Sequence, residues 1–251
     1  MKEVKKIEEK IIELIYHDFI KIKNKGWIKG ITNGTQNIGR TFENELSIKG
    51  NSMPYSDYFG IEIKCFSKKE NDFFTLFSLE PTVKEQNLVK RIARDYGYPD
   101  QKYTCVNALN TWIDAKEERF ISKKYKGTLY IDDKCLRALI SDRRGMIVNS
   151  DLVWDLEAIK DKFHYKVEYL AIIKADKKKY HNTEYFKYEE IKVYRFKDIQ
   201  EFIKLLNAGE ARINFKISVI KKGVLKGKTH NHGTSFQIRY QSIEKIYKRI
   251  K

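Results

Sequence analysis

Apolar residues recur at helical spacing near the start of the chain. They predict an amphipathic helix over residues 3 to about 22, with apolar positions at Val4, Ile7, Ile11, Ile12, Leu14, Ile15 and Phe19. Glycine-rich loop sequence follows this segment. A short second helix is then predicted near Thr41, with Phe42 and Leu46 on one face.

Short apolar runs farther along the chain predict strands mixed with helices. Residues 60–66 and 73–79 flank the polar segment SKKEND and predict a hairpin, and TLYIDDKCLRALIS predicts a second hairpin. The predicted helices are LVWDLEAIKDKF, IQEFIKLLNAG (ending at Gly209) and SIEKIYKRIK, and the predicted strands are VEYLAIIKA, EEIKVYRF, INFKISVI and SFQIRY. This order predicts an α/β or mixed α+β fold.

The composition indicates which class of partner the protein binds. The 251 residues carry a net charge of +16, spread along the whole length. Such a surface favours a polyanionic partner, with nucleic acid first and an anionic membrane or acidic protein second. A lysine-rich proteome would give the same composition.

The chain also lacks the marks of a membrane or secreted protein. No apolar run approaches the roughly 20 residues that span a bilayer, and the N-terminal segment contains no continuous apolar signal core. Cys65, Cys105 and Cys135 form no zinc-binding spacing. Reduced thiols and a cytoplasmic location are therefore expected, with no membrane partner.

The stretch DYFGIEIKCF, residues 57–66, carries the most suggestive charges. Glu62 and Lys64 are two residues apart and so share one face of a strand, and Asp57 stands at the strand entrance. Two carboxylates with the backbone carbonyl of Ile63 would suit Mg²⁺. A lysine beside that ion would hold the attacking water and lower its pKa, or offset charge on a phosphorane-like transition state, as phosphodiester hydrolysis requires.

The same residues also fit an exposed strand edge that carries Glu and Lys for solubility. An acid two residues before a lysine recurs at Glu3/Lys5, Glu8/Lys10, Asp100/Lys102, Asp114/Lys116, Asp132/Lys134, Asp176/Lys178 and Glu190/Lys192. The strongest competitor is Glu190 with Lys192, in EYFKYEEIKVYRF. It lacks an Asp at the strand entrance, although Glu184 and Glu189 lie nearby. Spacing alone therefore favours the Asp57 site only modestly.

Several motifs accompany DYFGIEIKCF in a recognisable order. They are Gly39, Thr41, Phe42 and Glu43; then Asp57, Ile61, Glu62, Ile63 and Lys64; then Thr75, Leu76 and Phe77; and finally KGKTHNHGTSFQI at residues 226–238. Together they resemble the MvaI/BcnI family of type II restriction endonucleases, a branch of the PD-(D/E)XK nucleases that includes the mismatch-repair nicking endonuclease. Tyr58 departs from the family, which has Phe there. The resemblance covers most of the chain, although residues 85–150 match poorly.

The resemblance implies roles for individual residues. Asp57 and Glu62 would be the metal ligands and Lys64 the catalytic lysine. Glu43, on the neighbouring helix, would bind a second metal or orient a water. The implied cofactor is Mg²⁺, with Mn²⁺ as a substitute.

The resemblance also implies an organisation and a function. The fold would be a restriction-endonuclease-like PD-(D/E)XK domain over residues 1–251. A mainly catalytic lobe (1–205) and a lobe contributing the recognition loop (206–251) would form a clamp. The protein would be a prokaryotic cytoplasmic monomer that cuts double-stranded DNA at a short site, one strand at a time. A DNA methyltransferase of the same system would be its functional partner.

The loop KGKTHNHGTSFQI admits several interpretations. It spells HNH, but nucleases of that name spread these residues over a longer ββα unit, and His230 with His232 lack further metal ligands at a suitable spacing. The interpretation of His230 and His232 as an ordinary pair of surface histidines also remains open. The flanking lysines and glycines favour DNA, with both histidines as base readers. The other predicted DNA contacts are Lys226, Lys228, Thr229, Thr234, Asn214, Lys216, Gln237 and Arg239.

Departures from the family concern this recognition set. Asn214 and Lys216 stand where relatives carry Asp and Arg, and Gln237 stands where they carry Arg. These side chains differ in donor pattern, so a relative's target sequence does not transfer to this chain. Two rival functions stay open: a nicking repair or conflict endonuclease that needs an activating partner, and a non-catalytic basic DNA-binding protein.

Overall fold

The computed structural model describes residues 2–48, 56–67, 72–82 and 85–251, with side chains described from residue 8 onward. These residues form six α-helices and fifteen β-strands. The helices are α1 (Lys2–Asn24), α2 (Asn37–Glu45), α3 (Leu88–Tyr96), α4 (Leu156–Lys166), α5 (Ile199–Asn207) and α6 (Ile243–Ile246). The strands are β1 (Ile28–Lys29), β2 (Ile61–Ser67), β3 (Phe73–Ser78), β4 (Tyr98–Pro99), β5 (Asn107–Ile113), β6 (Arg119–Phe120), β7 (Tyr125–Ile131), β8 (Cys135–Asp142), β9 (Ile147–Asp155), β10 (Tyr169–Tyr180), β11 (Thr183–Phe196), β12 (Ala211–Val219), β13 (Thr229–Asn231), β14 (Ser235–Arg239) and β15 (Tyr247–Arg249).

The first of two compact units consists of residues 1–72, 163–197 and 244–251. Its sheet has the strand order β1-β11-β10-β2, and β15 pairs with β11. Strands β10 and β11 are antiparallel, whereas β2 runs parallel to β10. Apolar side chains of α1 and α2 cover one face of this sheet, where Phe42 packs against Phe19 and Tyr188. The burial of this face supplies the main stabilising term of the unit.

The second unit consists of residues 73–162 and 198–243. One of its sheets has the order β3-β14-β12-β5-β4 with β13 on β12, and the other has the order β6-β7-β8-β9. Trp154 is fully buried between these elements and donates its indole N–H to the Leu79 carbonyl at 3.0 Å. Phe236 meets Trp154 edge-on and stacks with Phe77. These aromatic side chains form a core that joins β3, β9 and β14, and the indole N–H of Trp154 inside it is hydrogen-bonded.

The predicted mixed α+β fold class is confirmed, and so are most of the predicted elements. Helices α1 and α2 form where predicted, although the side chains of Val4 and Ile7 lie outside the described residues. Strands β7 and β8 form the second predicted hairpin. Helix α5 ends just before Gly209, whose φ of +71° favours glycine at a helix C-terminus.

The hairpin predicted from residues 60–66 and 73–79 is wrong. Strand β2 pairs with β10, and β3 pairs with β14 in the other unit's sheet. Four residues of the connecting segment, 68–71, lie outside the described residues. Sequence proximity misled the prediction, because β2 finds its partner about a hundred residues away and in parallel.

Two predicted helices are also corrected. The segment beginning at Leu152 is first a strand, because Leu152 and Trp154 alternate with more exposed residues and pair with β8, and α4 begins only at Leu156. The closing segment forms a 3₁₀ turn and the short α6, and then becomes β15. There Tyr247 is fully buried and donates to the Val167 carbonyl at 2.9 Å.

The division of the chain differs from the boundary predicted near residue 205. Residues 73–162 belong to the same compact unit as the 226–238 loop. The second unit is therefore built from two segments, and the first from three. In the described part of the chain, no helix is long and apolar enough to cross a membrane.

Candidate active site and nucleic-acid interface

A tight turn opens the candidate active site. The backbone N–H groups of Tyr58 and Ile61 each bond to the other residue's carbonyl, at 2.9 and 2.8 Å. Between them, Phe59 and Gly60 have φ values of +44° and +97°, as a type I′ turn requires. The Tyr58 hydroxyl donates to the Asp18 carboxylate on α1 at 2.7 Å. The turn is therefore held against that helix.

This turn folds Asp57 back alongside β2. The Asp57 carboxylate accepts a hydrogen bond from the Ile63 N–H at 3.1 Å. In an extended strand the N–H and C=O of one residue point to the same side. The Ile63 carbonyl therefore also points to the side where Asp57 lies, away from β10. Two of the three predicted oxygen ligands are adjacent.

Glu62 is buried rather than displayed on a solvated strand. Its side chain is only 4% exposed, and its two carboxylate oxygens lie 2.5 Å from Lys64 Nζ and 2.9 Å from Lys166 Nζ. Burial raises the pKa of Glu62 and the Asp57 charge adds to the rise, while the two lysines oppose it. A buried carboxylate held by two ammonium groups is not a solubilising strand edge, and such groups gather at functional sites.

Lys166 is the member of this cluster that sequence reasoning missed. It is the last residue of α4, and its Nζ lies 3.8 Å from Asp57 as well as 2.9 Å from Glu62. No local motif marks it, because lysine is common in the last turn of a helix. Only the parallel pairing of β2 with β10, which follows α4, brings it to the site.

Glu43 belongs to the same electrostatic cluster. It lies on α2, next to the fully buried Phe42 that anchors this helix in the core. Burial raises the pKa of Glu43, the Asp57 and Glu62 carboxylates raise it further, and the Lys64 charge lowers it. The four residues predicted as catalytic are thus brought together by the structure.

The oxygen donors of this cluster suit a hard divalent cation. Within the described ranges, no group of three Asp, Glu, His or Cys side chains is arranged to hold an ion on its own. The available donors are the carboxylates of Asp57 and Glu62 and the Ile63 carbonyl. An all-oxygen set with few protein ligands suits Mg²⁺, which keeps several waters, and does not suit Zn²⁺. The residues present fit the predicted cofactor.

The competing pair on β11 has different surroundings. Glu190 is 44% exposed and meets Lys192 at 3.2 Å, as a surface ion pair does. The nearby acids are engaged elsewhere, because Glu184 pairs with Lys177 and Glu189 pairs with Lys187. Exposure and neighbours therefore favour the Asp57 site over this pair, where spacing alone favoured it only modestly.

The histidine loop lies in the second unit, on the sheet that contains β12. His230 is in β13, opposite Ser218, and its ring meets the exposed His232 ring edge-on at 4.3 Å. The Ser218 hydroxyl lies 2.8 Å from His232 Nε2. Burial lowers the pKa of His232, and the charges of His230 and Lys216 lower it further. The neutral ring that this favours has one donor and one acceptor, of which Nε2 faces the Ser218 hydroxyl.

Alternate residues of β12 form one face of this sheet. Ile213, Phe215 and Ile217 are buried, whereas Asn214 and Lys216 are partly exposed on the opposite face. Burial lowers the pKa of Lys216. The His232 N–H bonds to the Lys216 carbonyl at 3.0 Å, so this loop joins the strand at the predicted recognition residues.

Gln237 occupies a different role from the predicted base contact. Its side chain is nearly buried; the amide oxygen accepts from Arg212 Nε at 2.8 Å, and the amide nitrogen donates to the Thr75 hydroxyl at 3.2 Å. The geometry makes Gln237 a support for Arg212. Arg212 was missed by sequence reasoning, since only its place two residues before Asn214 on β12 could have indicated it.

Arg212 belongs to an arginine–aromatic stack that spans several strands. Its guanidinium lies 3.8 Å from the centre of Phe73 and 4.5 Å from that of Trp112. The Arg119 guanidinium lies over Trp112, 3.3 Å from the ring centre. The Arg239 guanidinium lies 4.8 Å from the centre of Phe73. Stacking of this kind holds guanidinium groups in a fixed plane. The predicted contact residue Arg239 is therefore one of three positioned arginines.

The remaining predicted DNA contacts divide by exposure. Lys226 and Lys228 are exposed and Thr229 is partly exposed, in a loop closed by a bond from the Gly227 N–H to the Ile220 carbonyl. Thr234 is fully buried, and its backbone bonds to Glu80 and Leu79. This burial corrects the prediction that Thr234 contacts DNA, since its hydroxyl is inside the unit.

Comparisons with known proteins agree with the family resemblance of the sequence motifs. The model of the MvaI/BcnI restriction endonuclease family matches residues 16–247. Among curated proteins, none matches the chain significantly. Solved structures that share its fold at low identity include two of restriction endonuclease MvaI. One, restriction endonuclease MvaI with its cognate DNA substrate, has a TM-score of 0.86 at 24% identity, covering 95% of this chain and 98% of that chain.

The other is restriction endonuclease MvaI in the absence of DNA, with a TM-score of 0.58 at 22% identity, covering 95% of this chain and 96% of that one. At these identities the structures show the fold. The family match spans nearly the whole chain and includes Asp57, Glu62 and the histidine loop. The chain therefore belongs to the MvaI/BcnI restriction endonuclease family, and it is a type II site-specific nuclease.

Proposed function

We propose that this protein hydrolyses phosphodiester bonds of double-stranded DNA at a short specific sequence, with Mg²⁺ as cofactor and Mn²⁺ as a substitute. The observation that carries the proposal is the buried Glu62 carboxylate, which meets Lys64 and Lys166 and lies beside Asp57. Such a cluster of paired charges is costly to bury, and hydrolysis of a phosphodiester gives it a use.

Each residue of the cluster has a task in this reaction. Asp57, Glu62 and the Ile63 carbonyl would hold the ion. When bound, Mg²⁺ supplies Lewis-acid stabilisation of charge on the phosphate oxygens. Lys64, with its ammonium 2.5 Å from Glu62, is positioned to orient the attacking water and to offset phosphate charge. Glu43, whose pKa is raised by burial, would orient a water or a second ion.

The reaction is a hydrolysis and consumes one water. The water oxygen forms a bond to phosphorus, and the bond from phosphorus to one sugar oxygen breaks. The water loses a proton and the departing sugar oxygen gains one, so atoms and charge balance. No oxidant or further substrate is needed.

The second unit would supply recognition. The exposed His232, the partly exposed Asn214 and Lys216, and the positioned Arg212 lie on strands of one sheet or on its loop. Arginine and histidine donate to guanine acceptors, and asparagine pairs with adenine, in the major groove. Lys226 and Lys228 would contact phosphates. The family's substrate class and these groups together support double-stranded DNA.

Three further features complete the proposal. The protein acts as a monomer that cuts one strand at a time, as the family resemblance implied. A cognate DNA methyltransferase protects the host sequence. Both proteins work in the cytoplasm, where the DNA is found.

Digestion of a supercoiled plasmid is expected to give discrete fragments with Mg²⁺ or Mn²⁺ and none with EDTA. The reason is that the carboxylate pair needs a divalent ion to reduce repulsion between its own charge and the phosphate. Gel analysis over time checks this result. Nicked circles are expected to appear before linear DNA if strands are cut one at a time.

The same assay separates the rival functions. Nicks that appear only when a partner protein is added would support a repair or conflict endonuclease. Binding without cleavage in Mg²⁺ and in Mn²⁺ would contradict the enzymatic proposal. Run-off sequencing of the cut ends would then give the recognised sequence and the cleavage position.

His232→Ala is expected to weaken specific binding by about 1–3 kcal/mol, because a good base contact has this magnitude. Binding is measured with Ca²⁺ in place of Mg²⁺, on a duplex carrying the mapped site and on a scrambled duplex. Affinity for the scrambled duplex is expected to change little.

His17→Ala is the matched control, since His17 is an exposed histidine on α1. It is expected to leave both affinities unchanged. Equal losses on both duplexes for His232→Ala would make His232 a backbone contact and contradict its role in base reading.

A further inference from the structure

The position of Lys166 raises a question that the proposed hydrolysis does not answer. Its ammonium group lies 2.9 Å from one Glu62 oxygen and 3.8 Å from one Asp57 oxygen, and its side chain is 17% exposed. Lys64 holds the other Glu62 oxygen at 2.5 Å. Lys166 thus bridges the two carboxylates that would bind the cofactor.

The fold holds Lys166 firmly at this position. The next residue, Val167, is fully buried and its carbonyl accepts from the Tyr247 hydroxyl at 2.9 Å. In the preceding turn, Phe163 stacks on Phe196 with ring centres 4.0 Å apart and planes 11° apart. These contacts fix the end of α4. The negative end of the helix dipole also favours a cation there.

The charge balance of the two carboxylates explains the need for this lysine. Glu62 is almost fully buried, and an ionised carboxylate in that position is costly unless a cation or hydrogen bonds compensate it. Asp57 receives a backbone hydrogen bond from Ile63, but its second oxygen faces Lys166. The ammonium of Lys166 offsets the repulsion between the two acids.

A divalent ion held by Asp57 and Glu62 would lie against the same two carboxylates that Lys166 contacts. Two cations that share these carboxylates repel each other strongly at such distances. We propose that Lys166 is a positioning residue that competes with the divalent ion: it holds the carboxylate pair in place and weakens ion binding. The inference rests on the proposed function, because it assumes that Asp57 and Glu62 bind the ion.

The test is Mn²⁺ binding to the full chain without DNA, measured by calorimetry at pH 8. Lys166→Met is expected to lower the Kd for Mn²⁺ about tenfold or more, because a competing charge is removed. Lys166→Gln, which keeps a polar group, is expected to change the Kd in the same direction. Lys166→Arg keeps the charge and is expected to bind Mn²⁺ within about twofold of the unmodified protein.

A second readout does not depend on calorimetry. Since ligand binding to the folded state raises Tm, a saturating Mn²⁺ concentration is expected to raise the Tm of Lys166→Met more than that of the unmodified protein. Lys160→Met is the matched control, because Lys160 lies on the same helix and pairs only loosely with the exposed Glu157 at 3.4 Å. It is expected to leave both the Kd and the Tm rise unchanged.

The possible failures are distinguishable. If neither the unmodified protein nor Lys166→Met binds Mn²⁺, the proposed ion site itself is contradicted, and the inference falls with it. Binding by Lys166→Met alone would support the inference. If the unmodified protein binds Mn²⁺ and the neutral variants bind it equally or more weakly, Lys166 does not compete with the ion and the inference alone is overturned. A tenfold gain shared by Lys166→Arg would assign the effect to packing and would also overturn it.

Discussion

Lys64→Met is expected to slow DNA cleavage by roughly 10²–10⁴-fold, the range for loss of one positioned proton-transfer or charge-stabilising group. The lysine ammonium lies 2.5 Å from the buried Glu62 carboxylate, so its charge is fixed at the proposed reaction centre. Binding of the specific duplex in Ca²⁺ is expected to stay within a few-fold. Single-turnover cleavage and duplex binding, measured on the same preparations, check both expectations.

Lys192→Met is a stringent control for this result. Lys64 and Lys192 both align with Ile172, from the two strands that flank β10, and they therefore lie on the same face of the sheet. Lys192 pairs with an exposed acid, and its loss is expected to leave the cleavage rate within about twofold. Full activity of Lys64→Met, or an equal loss in both variants, would remove Lys64 from the mechanism.

Glu62→Gln is expected to abolish both Mn²⁺ binding and cleavage. The substitution keeps the shape of the side chain but removes the negative charge that a divalent ion requires. It also leaves Lys64 and Lys166 without their shared partner, so a loss of a few kcal/mol in the free energy of unfolding is expected as well. Calorimetry with Mn²⁺, plasmid digestion and thermal unfolding measure the three effects separately.

Glu190→Gln serves as the matched variant, since Glu190 is the acid of the competing acid–lysine pair on β11. It is expected to retain Mn²⁺ binding, cleavage and stability, because its carboxylate is exposed and makes only a surface ion pair. Loss of cleavage in folded Glu190→Gln, together with an active Glu62→Gln, would place the active site on β11 instead of β2.

Local patterns in the sequence predicted the elements of the candidate site well. The motif around Asp57, Glu62 and Lys64 predicted a strand with charges on one face, and the apolar runs of β10 and β12 predicted strands. These predictions depend on neighbouring residues only. The turn at Phe59 and Gly60 was not predicted, although Gly60 permits its positive φ.

These local patterns did not predict which distant strands pair with each other. An apolar run such as 60–66 fits a hairpin or a parallel pair equally well, and the nearer partner was chosen wrongly. The burial of Glu62 and the position of Lys166 beside it both follow from the parallel pairing of β2 with β10. Neither residue type nor spacing carries that information, because the partner strand lies far along the chain.

Recognition residues were predicted less well than catalytic ones. Loop residues such as His232 stand out by composition, whereas Arg212 sits in a strand whose alternation fits any half-buried sheet. Its role depends on contacts with Phe73, Trp112 and Gln237, which come from three other strands. Thr234 was misjudged for the same reason, because its burial depends on packing that the loop sequence does not show.

The chain passes between its two compact units four times, after residues 72, 162, 197 and 243. A consequence concerns the exchange of target specificity between relatives. A single crossover anywhere in the gene would leave at least one unit as a hybrid of two parents, with mismatched core contacts. Transplanting the second unit intact requires replacement of both 73–162 and 198–243 together. New specificities in such an architecture are therefore expected to arise by substitution of individual surface residues more readily than by recombination.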